Sequence, residues 1–174
     1  MPNWCNFAVK VKGDEKSLSA FDKIMSNSAS SKPVFTQVSL PRILEAERLE
    51  NFQPNTAIYS GACAWSVHTC MMDSEDSYPV RWRKEDGKGE YSGIRSLPEL
   101  AKELKLEIEV FSNEWGMNFA EYYLIGSDGD VKVNLTESLM PWPDDLNQFV
   151  EFDPTDGVSF RTASGVVPYG VFTI

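Results

Sequence analysis

Glu107-Ile-Glu-Val-Phe-Ser-Asn-Glu-Trp-Gly-Met-Asn-Phe-Ala-Glu-Tyr-Tyr-Leu-Ile-Gly-Ser-Asp-Gly-Asp-Val-Lys-Val-Asn-Leu135 reads as three consecutive strands. Leu106, Ile108 and Val110 alternate with Glu107 and Glu109, the period of a strand with one face dry and one face wet. Phe119 to Ile125 is aromatic-rich and β-prone. Val131, Val133 and Leu135 then alternate with Lys132 and Asn134. Between the last two runs, Asp128-Gly129 supplies the positive φ that a tight hairpin needs.

Working outward, Ser96-Leu-Pro-Glu99 is a capping box ahead of Leu97, Leu100, Ala101 and Leu104, which form the apolar stripe of a helix. At the start of the chain, Phe7, Val9 and Val11 alternate with polar or small neighbours, so Trp4 to Val11 is a strand. Gly13 ends it and Asp14 is placed to cap a helix from Glu15 to about Ser26, with Leu18, Phe21, Ile24 and Met25 at helical spacing. Phe7, Val9, Leu18, Phe21, Leu100, Ile108 and Val110 are expected in one core. The middle reads as a strand over 34–40, a short surface helix over 42–51 and a loop over 52–61. An uncharged strand over 62–72, a solvated turn over 73–77 and a partner strand over 78–84 follow. After Leu135, Pro141-Trp-Pro143 opens a short helix over 144–152 that carries Leu146, Phe149 and Val150, and two short strands are expected near 158–160 and 166–174.

The 174 residues, 42% of them hydrophobic, suffice for one core and are read as a single domain. Its core spans about 1–40 and 90–135, with an insertion over about 52–90 and a C-terminal extension over 136–174. The order of elements predicts an α+β fold of the ferredoxin-like, split-βαβ kind, an antiparallel sheet with helices on one face.

Met1-Pro-Asn-Trp-Cys-Asn followed by a strand, a Gly13-Asp14 turn and a helix resembles the start of the YubB-type family. Leu106 to Glu121, with Gly116-Met117, Phe119 and Ala120, is similar to that family's later β segment. The likeness covers about the first 40 residues and about 105–135. Of the family's Trp-Gly-Thr-Lys-Trp-like and Trp-Ser-Pro-Pro-like middle segments, only Ala64-Trp65-Ser66 shares a trace. The resemblance implies a ferredoxin-like protein of plasmids, phages and pathogenicity islands, and it implies no activity.

The formal net charge is −10, which argues against direct nucleic-acid binding, since phosphates are gripped by clustered Lys and Arg. No apolar run is long enough to span a bilayer, and the first residues lack the features of a signal peptide. The expectation is a cytoplasmic protein without membrane contact. The odd count and wide spacing of Cys5, Cys63 and Cys70 argue against a disulfide framework and leave room for one bridge, and the expectation is free, reduced, partly buried thiols. In a strand, His68 and Cys70 would share a face that Cys63 does not, so no metal centre is assigned, and no cofactor.

Charge is unevenly spread. From Leu106 to Phe160 there are twelve Asp or Glu and one Lys, giving −11, whereas residues 1–105 hold fourteen acids and fourteen bases. The plain reading is a solvated surface that keeps the protein soluble. The sharper one is an acidic face that steers a basic protein or peptide. Glu107, Glu109, Glu114 and Glu121 are expected on the solvated face of the sheet. Trp115 and Trp142, beside Gly and Pro, are the indoles expected at a partner surface, the other three being mostly core. These six residues form the candidate partner-binding set of a non-catalytic interaction module. The alternative is a small carboxylate-dependent hydrolase or transferase with its site near Trp115. No catalytic residue is assigned.

Overall fold

The computed structural model describes residues 3–49, 54–85, 89–114, 117, 119–138, 160–162 and 165–167. The elements are β1 (Trp4–Lys12), α1 (Glu15–Ser28), β2 (Ile43–Leu49), β3 (Thr56–Ala64), α2 (Val67–Met71), α3 (Tyr78–Glu85) and α4 (Leu97–Leu104). They are followed by β4 (Glu107–Glu114), β5 (Phe119–Ile125), β6 (Val131–Ser138), β7 (Phe160–Thr162) and β8 (Gly165–Val167). The first six strands form one antiparallel sheet in the order β2-β3-β1-β4-β5-β6, and β7 and β8 pair as a separate ribbon.

The strands at the two ends of the alternating pattern form as expected. Every second residue of β1 from Cys5 to Val11 is buried, and the cross-strand partners carry that face across the sheet. One row runs Tyr59, Val9, Val110, Tyr123, and the next Ala57, Val11, Ile108, Ile125. Leu18, Phe21, Ile24 and Met25 of α1, Val67, Cys70 and Met71 of α2, and Leu97, Leu100 and Ala101 of α4 belong to the same buried cluster. All seven residues expected in the core are in it.

Local signals set the helix starts. The Asp14 carboxylate accepts from the Ser17 amide at 2.7 Å. Ser96 and Glu99 complete the reciprocal capping box, and Lys105 ends α4 in the left-handed conformation. The β5–β6 hairpin turns through Gly129 at φ +85°, with the Gly126 amide donating to Asp130 O at 2.9 Å.

The middle of the chain corrects the sequence reading. Residues 34–40 are irregular, apart from one bridge from Ser39 to Ile94, because the Asn27 side chain bonds both the amide and the carbonyl of Val34 and holds a turn there. The expected helix over 42–51 is the edge strand β2, whose Glu, Ala, Arg and Leu residues favour a helix in isolation but pair with β3. The expected loop over 52–61 contains most of β3, which lies inside the sheet between β2 and β1. The strand expected to run to Met72 stops at Ala64, and α2 follows, capped by Ser66, whose hydroxyl accepts from the Thr69 amide at 3.0 Å. Tyr78–Glu85 is a helix, not a strand, with Pro79 in its first turn where its missing N–H costs nothing. The helix expected over 144–152 lies outside the described residues.

Candidate functional site

One end of the sheet gathers the start of β1, the end of β3, the start of α2 and the β4–β5 connection. Trp4 there is 57% exposed and Trp65 42%, while Met117 in the connection is 58% exposed. This corrects the expectation that Trp4 and Trp65 are core residues. Trp115 belongs by sequence to the same connection but, like Trp142, lies outside the described residues.

The register explains the exposure. Trp4 faces Ala64 across the β1–β3 ladder, on the face opposite Cys5 and Phe7, and the Trp65 amide donates to Asn3 O at 2.8 Å. Trp65 itself has φ +77°. For a bulky side chain that conformation is costly, and it persists only where the surroundings enforce it.

Beneath the turn that follows Trp65 lies Glu121. It is paired with Ser112, which is paired with Phe7, so its side chain lies on the helix-covered face, and it is only 2% exposed. Its Oε2 accepts from the Val67 amide at 2.8 Å and the Ser112 hydroxyl at 2.5 Å. Its Oε1 accepts from the His68 amide at 3.0 Å and the Tyr123 hydroxyl at 3.2 Å. A buried carboxylate thus takes the free amides at the start of α2, which immediately follows Trp65. Burial first, and then the charge of Glu121 and the hydrogen bond to it, push the Tyr123 phenol well above its ordinary range.

The acids expected on the solvated face therefore divide. Glu107 is exposed, with its carboxylate 3.9 Å from Lys12 Nζ. Glu109 is half-buried, accepts from the Tyr122 hydroxyl at 2.8 Å and lies opposite Lys10. Glu114 and Glu121 are buried, contrary to expectation, because both share the parity of Ile108 and Val110 or their β5 partners; Glu114 accepts from the Met117 amide. At the turn, Asp128 is held below the ordinary carboxylate value first by the Asp130 amide, with smaller contributions from Lys132 and Lys105. The one-sign charge of the segment in sequence is thus interleaved with lysines in the sheet.

Catalytic geometry is poor at this end. Four donors fill the two oxygens of Glu121, leaving none free to take or give a proton to a substrate. Ser74 and His68 lie 3.2 Å apart and His68 and Asp76 3.4 Å, but both contacts use the same imidazole nitrogen, Nε2. A nucleophilic triad needs the acid on the other nitrogen. Here the Ser74 hydroxyl donates to Asp76 at 2.7 Å instead.

The thiols converge in a way the sequence reading missed. Cys5 and Cys63 are direct cross-strand partners, and α2, being a helix, brings Cys70 to the same place. All three are free and fully buried. Among the described residues no group of three or more His, Cys, Asp or Glu is disposed to hold a metal ion. No described helix is long and apolar enough to cross a membrane. No protein family, curated protein or solved structure matches the chain.

Proposed function

We propose that the protein is a non-catalytic interaction module that docks a basic protein or peptide at the tryptophan-bearing end of its sheet. The observation that carries this reading is the pair of exposed indoles, Trp4 and Trp65, the second at positive φ beside the Glu121-anchored start of α2. A large apolar side chain kept in a costly conformation at the surface has the character of an interface anchor. An indole face also attracts Lys and Arg.

The sign proposed for the partner is supported by chain continuity. The chain leaves β6 at Ser138, opposite Phe119 and so at this same end of the sheet. The sequence then runs to Phe160 without a Lys or Arg, while carrying Asp144, Asp145, Glu151, Asp153 and Asp156 after Glu137. Trp142 lies in that stretch, and Trp115 in the adjoining connection. Glu107 and Glu109 sit toward the opposite end of β4 and contribute to the field rather than to contact.

The architecture proposed is ferredoxin-like, extended by β5 and β6. Its support is the order β2-β3-β1-β4 of the first four strands, in which each of β1-α1-β2 and β3-α4-β4 is split by one antiparallel strand. Kinship with the YubB-type proteins of mobile elements is proposed on the resembling stretches alone; plasmid or phage genes beside the coding sequence would support it, and a conserved chromosomal setting would count against it.

The test of the function is capture from an extract of the native host, with the full-length protein as bait at low and high salt. A basic protein retained at low salt, released at high salt and lost with a Trp4→Ala, Trp65→Gly double variant is expected. A retained set that is indifferent to both changes would reject the reading.

A further inference from the structure

We infer that Cys5 and Cys63 form a latent disulfide site across β1 and β3, with Cys70 as the thiol left over. Three observations converge on this pair. Cys5 and Cys63 are directly opposed in the antiparallel register, where Cα atoms stand about 4.5–5.5 Å apart, inside the span a disulfide bridges. Both side chains point to the helix-covered face and are fully buried in the core cluster. Cys70 is held by donating its S–H to Ala64 O at 2.6 Å, whereas the Cys5 S–H reaches the adjacent Asn6 O only at 3.8 Å, which leaves Cys5 the freer partner.

The chemistry needs an oxidant small enough to enter, such as a peroxide. One thiolate attacks a peroxide oxygen and becomes a sulfenic acid, releasing water after proton transfer. The second thiol displaces the sulfenic hydroxyl as another water, so two thiols and one hydrogen peroxide give one disulfide and two waters. The neighbouring Cys5 and Cys70 side chains first, and then burial, hold the Cys63 thiol well above its ordinary value. The reaction is therefore slow in the closed structure and proceeds when the first residues of β1 open. Because Cys5 adjoins Trp4 and Cys63 lies two residues before Trp65, the bond would pin the strands that carry both exposed indoles. The inference stands independently of the proposed partner.

The experiment treats the full-length reduced protein with hydrogen peroxide without denaturant, blocks residual thiols after unfolding, and maps the linked peptides by mass spectrometry. A Cys5–Cys63 link with Cys70 alkylated is expected, reversible by dithiothreitol, preserved in Cys70→Ser, and accompanied by slower hydrogen exchange at Asn6 and Phe7. A Cys63–Cys70 link, sulfinic or sulfonic acids without a link, or no reaction until denaturant is added would each overturn it. The map is read on the unmutated protein, so the result does not depend on any variant folding.

Discussion

The Val67 amide, at the start of α2, donates a 2.8 Å hydrogen bond to the carboxylate of Glu121, 54 residues later in the middle of β5. That bond ties the surface turn at Trp65 to β5, three strands across the sheet from β3. It makes Glu121 a positioning residue rather than one that meets a partner.

Replacing Glu121 by Ala leaves the Val67 and His68 amides and the Ser112 and Tyr123 hydroxyls without their acceptor. Each unsatisfied buried donor costs about 1–3 kcal/mol, and partial rehydration brings the expected loss to about 2–4 kcal/mol in urea unfolding. Glu121→Gln, which keeps the shape but points an amino group at donors, should fall between wild type and Ala. Hydrogen exchange at Val67 and His68 should accelerate in both variants. A neutral Glu121→Ala would show that α2 is held by other contacts.

Gly61 fills a place no larger residue can occupy. A Cβ there would lie 2.2 Å from the Glu45 carbonyl oxygen on β2 and 2.7 Å from the Phe7 ring. Gly61→Ala should therefore destabilise by about 1–3 kcal/mol through overpacking. Ile108→Ala, which hollows the centre of the same core, should cost about 2–5 kcal/mol. Both are read from denaturant midpoints with unchanged m-values.

Acid sensitivity should centre on Glu99. Burial alone would raise its pKa. The Arg83 hydrogen bond, the Ser96 amide, the Arg83 charge and the Ser96 hydroxyl together outweigh burial and hold it below its ordinary value of 4.5. A depressed carboxylate contributes stability above its unfolded pKa, and that contribution is lost as pH falls through the folded value. Arg83→Met should raise the Glu99 carboxyl titration seen by NMR and start acid unfolding at a higher pH. An unmoved titration would show that Ser96 alone holds the carboxylate.

The parts of the fold legible in the sequence are those where one local signal decides. Alternation marks β1, β4 and β6, and Asp14 and the Ser96–Glu99 box mark α1 and α4. The middle was illegible because pairing overrode propensity. Glu45, Ala46, Glu47 and Arg48 form a strand only because β3 offers the partner. In Val67 to Met71 the buried Val67, Cys70 and Met71 do fall at helical spacing, but a single turn of five residues is too short for that spacing to tell a helix from the end of a strand. The site was half-visible. Glu121 has the same parity as Phe119, Tyr123 and Ile125, so a carboxylate among inward-facing apolar residues was the available sign that it is buried and bonded. Its partners could not be read, since they depend on where α2 docks. The exposure of Trp65 depends on a left-handed residue that no glycine announces.

Trp65→Gly separates the interaction from the fold and tests the central claim most directly. Glycine adopts positive φ without the penalty of about 1–2 kcal/mol that an L side chain carries, which offsets the loss of the half of the indole that is covered. The variant should unfold within about 1 kcal/mol of wild type. Its affinity for the captured basic partner should fall by roughly 30-fold, the loss of an anchor worth about 2 kcal/mol. Stability retained with affinity undiminished would contradict the account and leave Trp65 as a surface residue without a role in binding.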